Sequence, residues 1–323
     1  MAGSSPPPDS LRSKRASDSL DAMIDDRTLS NRARALGAVL EPVAGQVYFS
    51  PECHAAYEEL GFSPSPGLVG GVAMPDGVAY FTSRGSLLGQ APGAVVASAF
   101  GVFNPAVVVP CVEQGWALTD AATICEARTD GAVAQLRRVL GDAPDGVERA
   151  VELLTQANAS LRPEGRALYA GVLAQGLQGE PLADMWRLAD RLREYRGDVH
   201  IGAWTGAGLD ATEIGLLTEL YWGLPMRSYI RTRAWSEDDL DGAEARLIER
   251  GLVADGAFTE EGRIVRERIE VETDRGCRPI LDALGQDVDE LVSILEPWGQ
   301  QVRDAGGYPR SGPLDLARST AER

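Results

Sequence analysis

One stretch, residues 209–273, limits the fold more than any other, because its signals run helix, turn, helix, hairpin, helix. The first helix is GLDATEIGLLTELYWGLP, the second SEDDLDGAEARLIERGLV and the hairpin ADGAFTEEGR, and a last helix follows. The second helix, residues 236–250, carries six acids (Glu237, Asp238, Asp239, Asp241, Glu244 and Glu249) against two arginines (Arg246 and Arg250), a net charge of −4.

This order of elements is the winged-helix pattern, in which the second helix would enter the major groove of DNA. Affinity for DNA comes largely from neutralising phosphates with Lys and Arg, so a helix of that charge is repelled. The unit from Asp210 to Asp274 holds 16 acids and 8 arginines. Arg227, Arg231 and Arg233, just ahead of the second helix, lend some basic character. The whole chain, with net charge −17 and pI near 4.6, argues against nucleic acid and against anionic membrane surfaces.

At 323 residues the chain is long enough for two domains and a sizeable core. Cys53, Cys111, Cys125 and Cys277 are scattered with no CxxC pair, so they read as isolated thiols in a reducing cytosol. No apolar run reaches the length of a membrane span, and the first 30 residues lack the apolar core of a signal peptide. A cytoplasmic location is therefore expected.

Residues 1–28, rich in Ser, Pro, Asp and Arg, are expected to form a disordered tail. A helical body is expected over 29–205, a winged-helix-like domain with closing helices over 206–310, and a frayed tail over 311–323. In the body, helices are expected at 29–40 and 51–60, the second opened by Ser50 and Pro51 as N-cap and N1. The Pro/Gly-rich run 63–77 reads as a loop. Residues 94–103 have the small apolar profile of a central helix, kinked at Asn104-Pro105. For 105–113 helix and strand both stay open. Amphipathic helices are expected over 120–140, 145–159, 163–175 and 181–195, with Gly197 interrupting before a further helix over 198–205. The expected fold class is mainly α: a multi-helix body, a C-terminal winged-helix-like unit and a small β-hairpin.

Histidine suits proton transfer near neutral pH, and the chain has two, His54 and His200. His200 lies in REYRGDVHIGAW, where Arg196, Asp198 and His200 straddle Gly197. Opposite charges around an imidazole tune its pKa or orient a polar substrate. The same residues fit a capped helix start, with Asp198 as N-cap. His54, on a short helix with Tyr57 and Glu58, reads as a surface or boundary residue. FTSRG at 81–85 sets Ser83 and Arg84 beside a glycine, a turn that binds an anion or simply caps a helix. Phe103, Trp204 and Trp222, with Asn104, fit the lining of a small-molecule pocket and equally the filling of a helical core. There is no Walker loop, GxGxxG, HExxH or GxSxG, so no cofactor and no metal site are expected.

With REYRGDVHIGAW, TRAWSEDDLDGAEARLIERGLV and FTEEGRIVRERIEVETD, the chain resembles a group of actinobacterial all-helical proteins described as winged-helix or MarR-like. The group includes the SalK-like proteins of polyether antibiotic gene clusters. The likeness covers about residues 47–307 and extends to VYFSPE, YFTSRGSLLG and LGQDVDELVSILEPWGQQVRDAG. Its RGDxH pattern stands here as Arg196, Gly197, Asp198 and His200, and its FxxFxP stretch as Phe100, Phe103 and Pro105. Histidine is usual in the group at the place of Asn104, where this chain departs. The resemblance implies bacterial secondary metabolism, a small organic ligand and a cytosolic location.

The expected function is a small-molecule-binding tailoring protein of antibiotic biosynthesis. It would be a cofactor-independent cyclase, dehydratase or epimerase acting on a polyketide-like substrate. His200 would serve as general acid/base, Asp198 would orient it, and Arg196 or Arg84 would stabilise developing negative charge. Ser83, Asn104, Phe103, Trp204 and Trp222 would line the pocket. Nucleic acid and membranes are not expected as partners, and a homodimer is compatible with this function. The alternative is a MarR-type ligand-responsive transcriptional regulator working as a dimer.

Overall fold

The structure, a computed structural model, describes residues 9–310, with side chains from Arg27 onward. The body runs α1 (Asp9–Gly45), α2 (Pro51–Glu59), a hairpin of β1 (Leu68–Val69) and β2 (Val72–Ala73), α3 (Gly77–Gly85), α4 (Gly93–Phe100), α5 (Pro105–Trp116), α6 (Ala121–Leu140), α7 (Val147–Asn158), α8 (Ala167–Ala174) and α9 (Pro181–Gly206). Then come α10 (Ala211–Tyr221), α11 (Glu237–Glu249), a second hairpin of β3 (Val253–Ala254) and β4 (Ala257–Phe258), α12 (Glu260–Gly276), α13 (Arg278–Leu284) and α14 (Val288–Asp304). The fold is mainly α with two small antiparallel hairpins among the described residues, in agreement with the expected class.

Helix starts follow the local cap chemistry. Ser50 accepts from the Cys53 amide with Pro51 at N1, and Asp120 accepts from the Thr123 amide. Asn104 opens α5 by accepting from the Ala106 amide at 2.9 Å, which settles residues 105–113 as helix. Three expectations fail. Residues 9–28, expected to be disordered, belong to α1, whose path continues without a break into the buried stretch from Leu29 to Ala44. The rest of that expected tail, 1–8, and the frayed tail 311–323 lie outside the described residues. The loop 63–77 contains the first hairpin, turned at Gly70 and Gly71, both with positive φ. Finally, Gly197 does not interrupt anything: α9 is one 26-residue helix. An interior glycine costs about 1 kcal/mol relative to alanine, and burial of α9 outweighs it.

The helix α9 is the axis of the body. Trp186 on it is fully buried and donates from Nε1 to the Ala44 carbonyl at 3.2 Å. Around it α1, α6, α7, α13 and α14 bury the largest apolar cluster, with Leu153, Leu154, Leu182, Leu188, Leu291 and Leu295 at its centre. A second cluster joins α3, α4 and α5 through Phe81, Val96, Phe100 and Phe103. A third belongs to α10, α11 and α12 and takes in Trp204 from the end of α9. Among the described residues no helix is long and apolar enough to cross a membrane.

Candidate nucleic-acid interface

The unit α10 to α12 is built from caps outward. Asp210 and Glu213 form a capping box on α10, Ser236 and Asp239 form one on α11, and Thr259 caps α12. Leu240, Ala243 and Leu247, spaced three and four apart, form the fully buried stripe of α11. They share a core with Ile214, Leu217, Ile230 and Ile269. Packing there is close enough that a Cβ on Gly215 would lie 2.1 Å from Ile230 Cδ1. The hairpin after α11 turns at Asp255 and Gly256, both with positive φ, and pairs Val253 with Phe258. Helix, turn, helix and wing thus stand in the expected order.

The turn between α10 and α11 is held by a residue that no motif or spacing singles out. Glu219, fully buried, accepts backbone N–H bonds from Arg227 and Tyr229 at 2.5 Å and from Ile230 at 2.7 Å. One carboxylate thus fixes the segment that aims α11. Such charge-assisted bonds to otherwise orphaned amides are among the strong ones.

The acids of α11 are not bare. Arg227 pairs with Asp241 at 2.7 Å, with Glu244 at 2.6 Å and with Glu237 at 3.3 Å. Arg231 also reaches Glu237, at 3.2 Å. Arg246 and Arg250 tie the helix back to Asp210 and Glu213 on α10. The exposed face of α11 carries Asp238, Asp241, Ala245, Ile248 and Glu249, and Ile248 is 51% exposed. Past the wing, Arg263 and Arg268 are exposed and make no ion pair among the described residues, and Arg263 stacks on Phe258 of β4.

The structure separates the expected catalytic group in the body. Two residues apart on a helix means roughly 200° apart around its axis, so Asp198 and His200 point to different neighbours. Asp198 accepts from the Tyr169 amide at 2.9 Å and so caps the start of α8, not its own helix. Arg196 and His200, four apart, both face α12: Arg196 pairs with Glu270 and Asp274, and His200 Nδ1 lies 3.0 Å from Thr273 Oγ1. Arg34 from α1 joins them at Asp274 and Glu267. This polar seam fastens the body to α12.

Burial pushes His200 down to about 4, and Arg266 and Arg196 add to this against the opposing pull of Glu270. The ring is therefore neutral near pH 7. Burial alone would raise the Glu270 carboxyl, but Arg266, His200 and Arg196 outweigh it and hold it at about 2. The folded His200 takes up a proton less readily than an unfolded histidine at 6.5. Its contribution to stability is thus complete above pH 6.5 and is lost as pH falls toward 4. His200→Gln is expected to reduce this acid-induced loss by about 2 kcal/mol, after discounting for partial exposure. Urea unfolding across that range checks it; parallel wild-type and variant curves would contradict it.

The remaining expected site residues are also dispersed. Ser83 and Arg84 lie in the later part of α3, so no N-terminal anion turn exists there. Ser83 donates to the Tyr80 carbonyl, and Arg84 pairs with buried Glu194 at 3.0 Å and stacks on Phe100. Trp222 ends α10 against Tyr221, and Trp204 is buried in the α10–α12 core. Phe103 and Asn104 come together with the turn ahead of α11: Asn104 Nδ2 donates to the Ala234 carbonyl at 3.0 Å, and the Arg233 guanidinium sits 4.6 Å from the centre of the Phe103 ring. His54, expected at the surface, is buried, with Nε2 3.1 Å from the Tyr48 carbonyl.

No curated protein matches the chain, and no solved structure does. Residues 33–309 match the helix-turn-helix family. This match overturns two expectations from the sequence: the tailoring enzyme as main function, and nucleic acid as an unexpected partner. Net charge says nothing of placement: Arg227 and Arg231 of the turn pair with Glu237, Asp241 and Glu244 of α11. Matched along residues 33–309, through the body and the α10–α12 unit alike, the chain belongs to the helix-turn-helix family.

Proposed function

We propose that this protein is a DNA-binding transcriptional regulator in which α11 enters the major groove and the hairpin β3–β4 lies against the neighbouring backbone. The observation that carries it is the fixed geometry of α10, the Glu219-held turn, α11 and the wing in a chain of this family. The exposed face of α11 suits base reading: carboxylates accept from cytosine N4, and an apolar side chain such as Ile248 meets a thymine methyl. Phosphate contacts fall to Arg231, Arg263 and Arg268, all exposed. In this reading residues 29–205 support the unit and 206–310 form the DNA-reading part. Its resemblance to SalK-like proteins puts such a regulator in bacterial secondary metabolism, acting in the cytoplasm.

The test is selection from a random duplex pool at low salt, followed by titration of the enriched sequence. With three phosphate-facing arginines, log K is expected to fall with log salt at a slope of roughly −3, shallow for a DNA-binding protein. Arg263→Ala should lower affinity and reduce that slope by about 1. Failure to enrich any sequence would contradict the proposal.

A further inference from the structure

Between α4 and α9, at the start of α8, lies a cleft of about 570 Å³, a size that suits a small organic molecule. Its walls are apolar and small: Val95 and Ala99 from α4, and Ile201 and Gly202 from α9. Val95 is 50% exposed, an apolar side chain left at the rim. Polar character comes from Ser98, Thr205 and Asp198, and Asp198 is the one charged residue among the described lining. Its side chain is 8% exposed, accepts the Tyr169 amide on Oδ2, and has no ion-paired cation among the described residues.

Through Ile201, which lines it, the cleft borders the segment that holds the turn ahead of α11. Where α4 ends, Gly101 has φ +69, and a Cβ there would fall 3.0 Å from Ile201 Cδ1. The next three residues grip the turn ahead of α11. The Val102 carbonyl accepts Trp235 Nε1 at 2.9 Å. The Asn104 amide donates to the Arg233 carbonyl at 3.0 Å, and Asn104 Nδ2 donates to the Ala234 carbonyl. Phe103 carries the Arg233 guanidinium. Ser236, the cap of α11, follows at once.

We propose that this cleft binds a small apolar cation, an amine or amidine whose charged head meets Asp198, and that its occupancy shifts the grip of residues 102–104 on residues 233–235 and so the setting of α11. Charge complementarity selects the class: an apolar cleft whose one carboxylate has no ion-paired cation among the described residues rejects an anion and gains little from a neutral molecule. Burial, with Glu194 adding to it, raises the Asp198 carboxyl to about 6 against the opposing pull of the Tyr169 amide and of Arg84. The second half of the proposal, control of α11, rests on the DNA-binding reading; the binding half does not.

Calorimetry with 4-phenylbutylamine, 4-phenylbutanol and 4-phenylbutanoate tests the binding half on the full chain. The amine is expected to bind at least about tenfold more tightly than the alcohol, and the carboxylate not at all. Gly202 lines the cleft and a Cβ there would meet nothing within 4 Å, so Gly202→Phe projects a ring from an unobstructed Cβ into the cleft and should abolish binding. Asp198→Asn should level the amine and the alcohol. Equal binding of amine and alcohol by wild type, or unchanged amine binding by Gly202→Phe, overturns the site. The transmission half is read by titrating selected DNA with and without the amine. A shift of at least about threefold in wild type, lost in Asn104→Ala while amine binding is kept, is the expected result. Amine binding with unchanged DNA affinity overturns the transmission alone. Absence of DNA binding in every condition would sink the regulator reading and leave the calorimetric result standing.

Discussion

Asp190→Asn is expected to destabilise the protein by about 3–5 kcal/mol, the cost of leaving a buried charge without its partner. Asp190 and Arg128 are both fully buried and pair at 2.9 Å between α9 and α6. Arg128 is one of three buried guanidiniums in this region, with Arg187 and Arg191. Arg187 pairs with no carboxylate among the described residues and donates from Nη2 to Thr129 Oγ1 at 2.7 Å. Burial, with repulsion from Arg128, lowers its pKa. Removing the Asp190 charge therefore exposes Arg128 to Arg187 as well as to an apolar core containing Trp186. Urea unfolding measures the loss. The double variant Arg128→Met/Asp190→Leu is expected to cost less than the single, because both charges then leave together. A single variant within about 1 kcal/mol of wild type would show that water or relaxation already screens this pair.

Gly262→Ala is expected to cost about 3 kcal/mol, the upper end of ordinary overpacking. A Cβ at 262 would lie 1.9 Å from the Leu252 carbonyl oxygen and 3.0 Å from Phe258 Cδ1. The first of these is backbone, and it already accepts the Thr259 amide at 3.1 Å. To make room, the first turn of α12 must move away from Leu252, the residue just before β3, which also strains the Thr259 cap on the Gly262 amide. The wing would move with it, so loss of DNA affinity should accompany the loss of stability. Gly242→Ala on α11 is the control, since its Cβ would meet only the flexible end of Arg246 at 3.4 Å. That change should stabilise slightly, by up to about 1 kcal/mol. Equal unfolding midpoints for the two variants would contradict this packing at the wing.

What could be read from the sequence was what local chemistry decides. Ser50-Pro51, Asp120 and the reading unit announced themselves because caps and turn residues act within four residues of where they sit. Residues 105–113 are too short a run for periodicity to decide between helix and strand, and the Asn104 cap makes them helix. The unbroken α9 was hidden because Gly197 is a local signal that tertiary packing overrides. The expected catalytic group looked compact along the chain, but helix geometry sends Asp198 to α8 and His200 to α12. Glu219, Gly262 and Asp190 gave no signal at all, since the role of each depends on what lies across from it. The charge of α11 is legible as a sum, but not which of its acids are paired. Arg227, ten residues ahead of the helix start in the chain, pairs with Asp241 and Glu244 only once folded.

The most direct measurement of whether α11 reads bases is a repeat of the duplex selection with Ala245→Arg. Ala245 is exposed on α11 and outside its buried stripe, so the change leaves the fold intact. An arginine in the groove pairs with guanine O6 and N7. The expected result is an enriched sequence that matches the wild-type one except for a new guanine at one position. An unchanged preference, or enrichment lost at every position together, would contradict the placement of α11 in the groove.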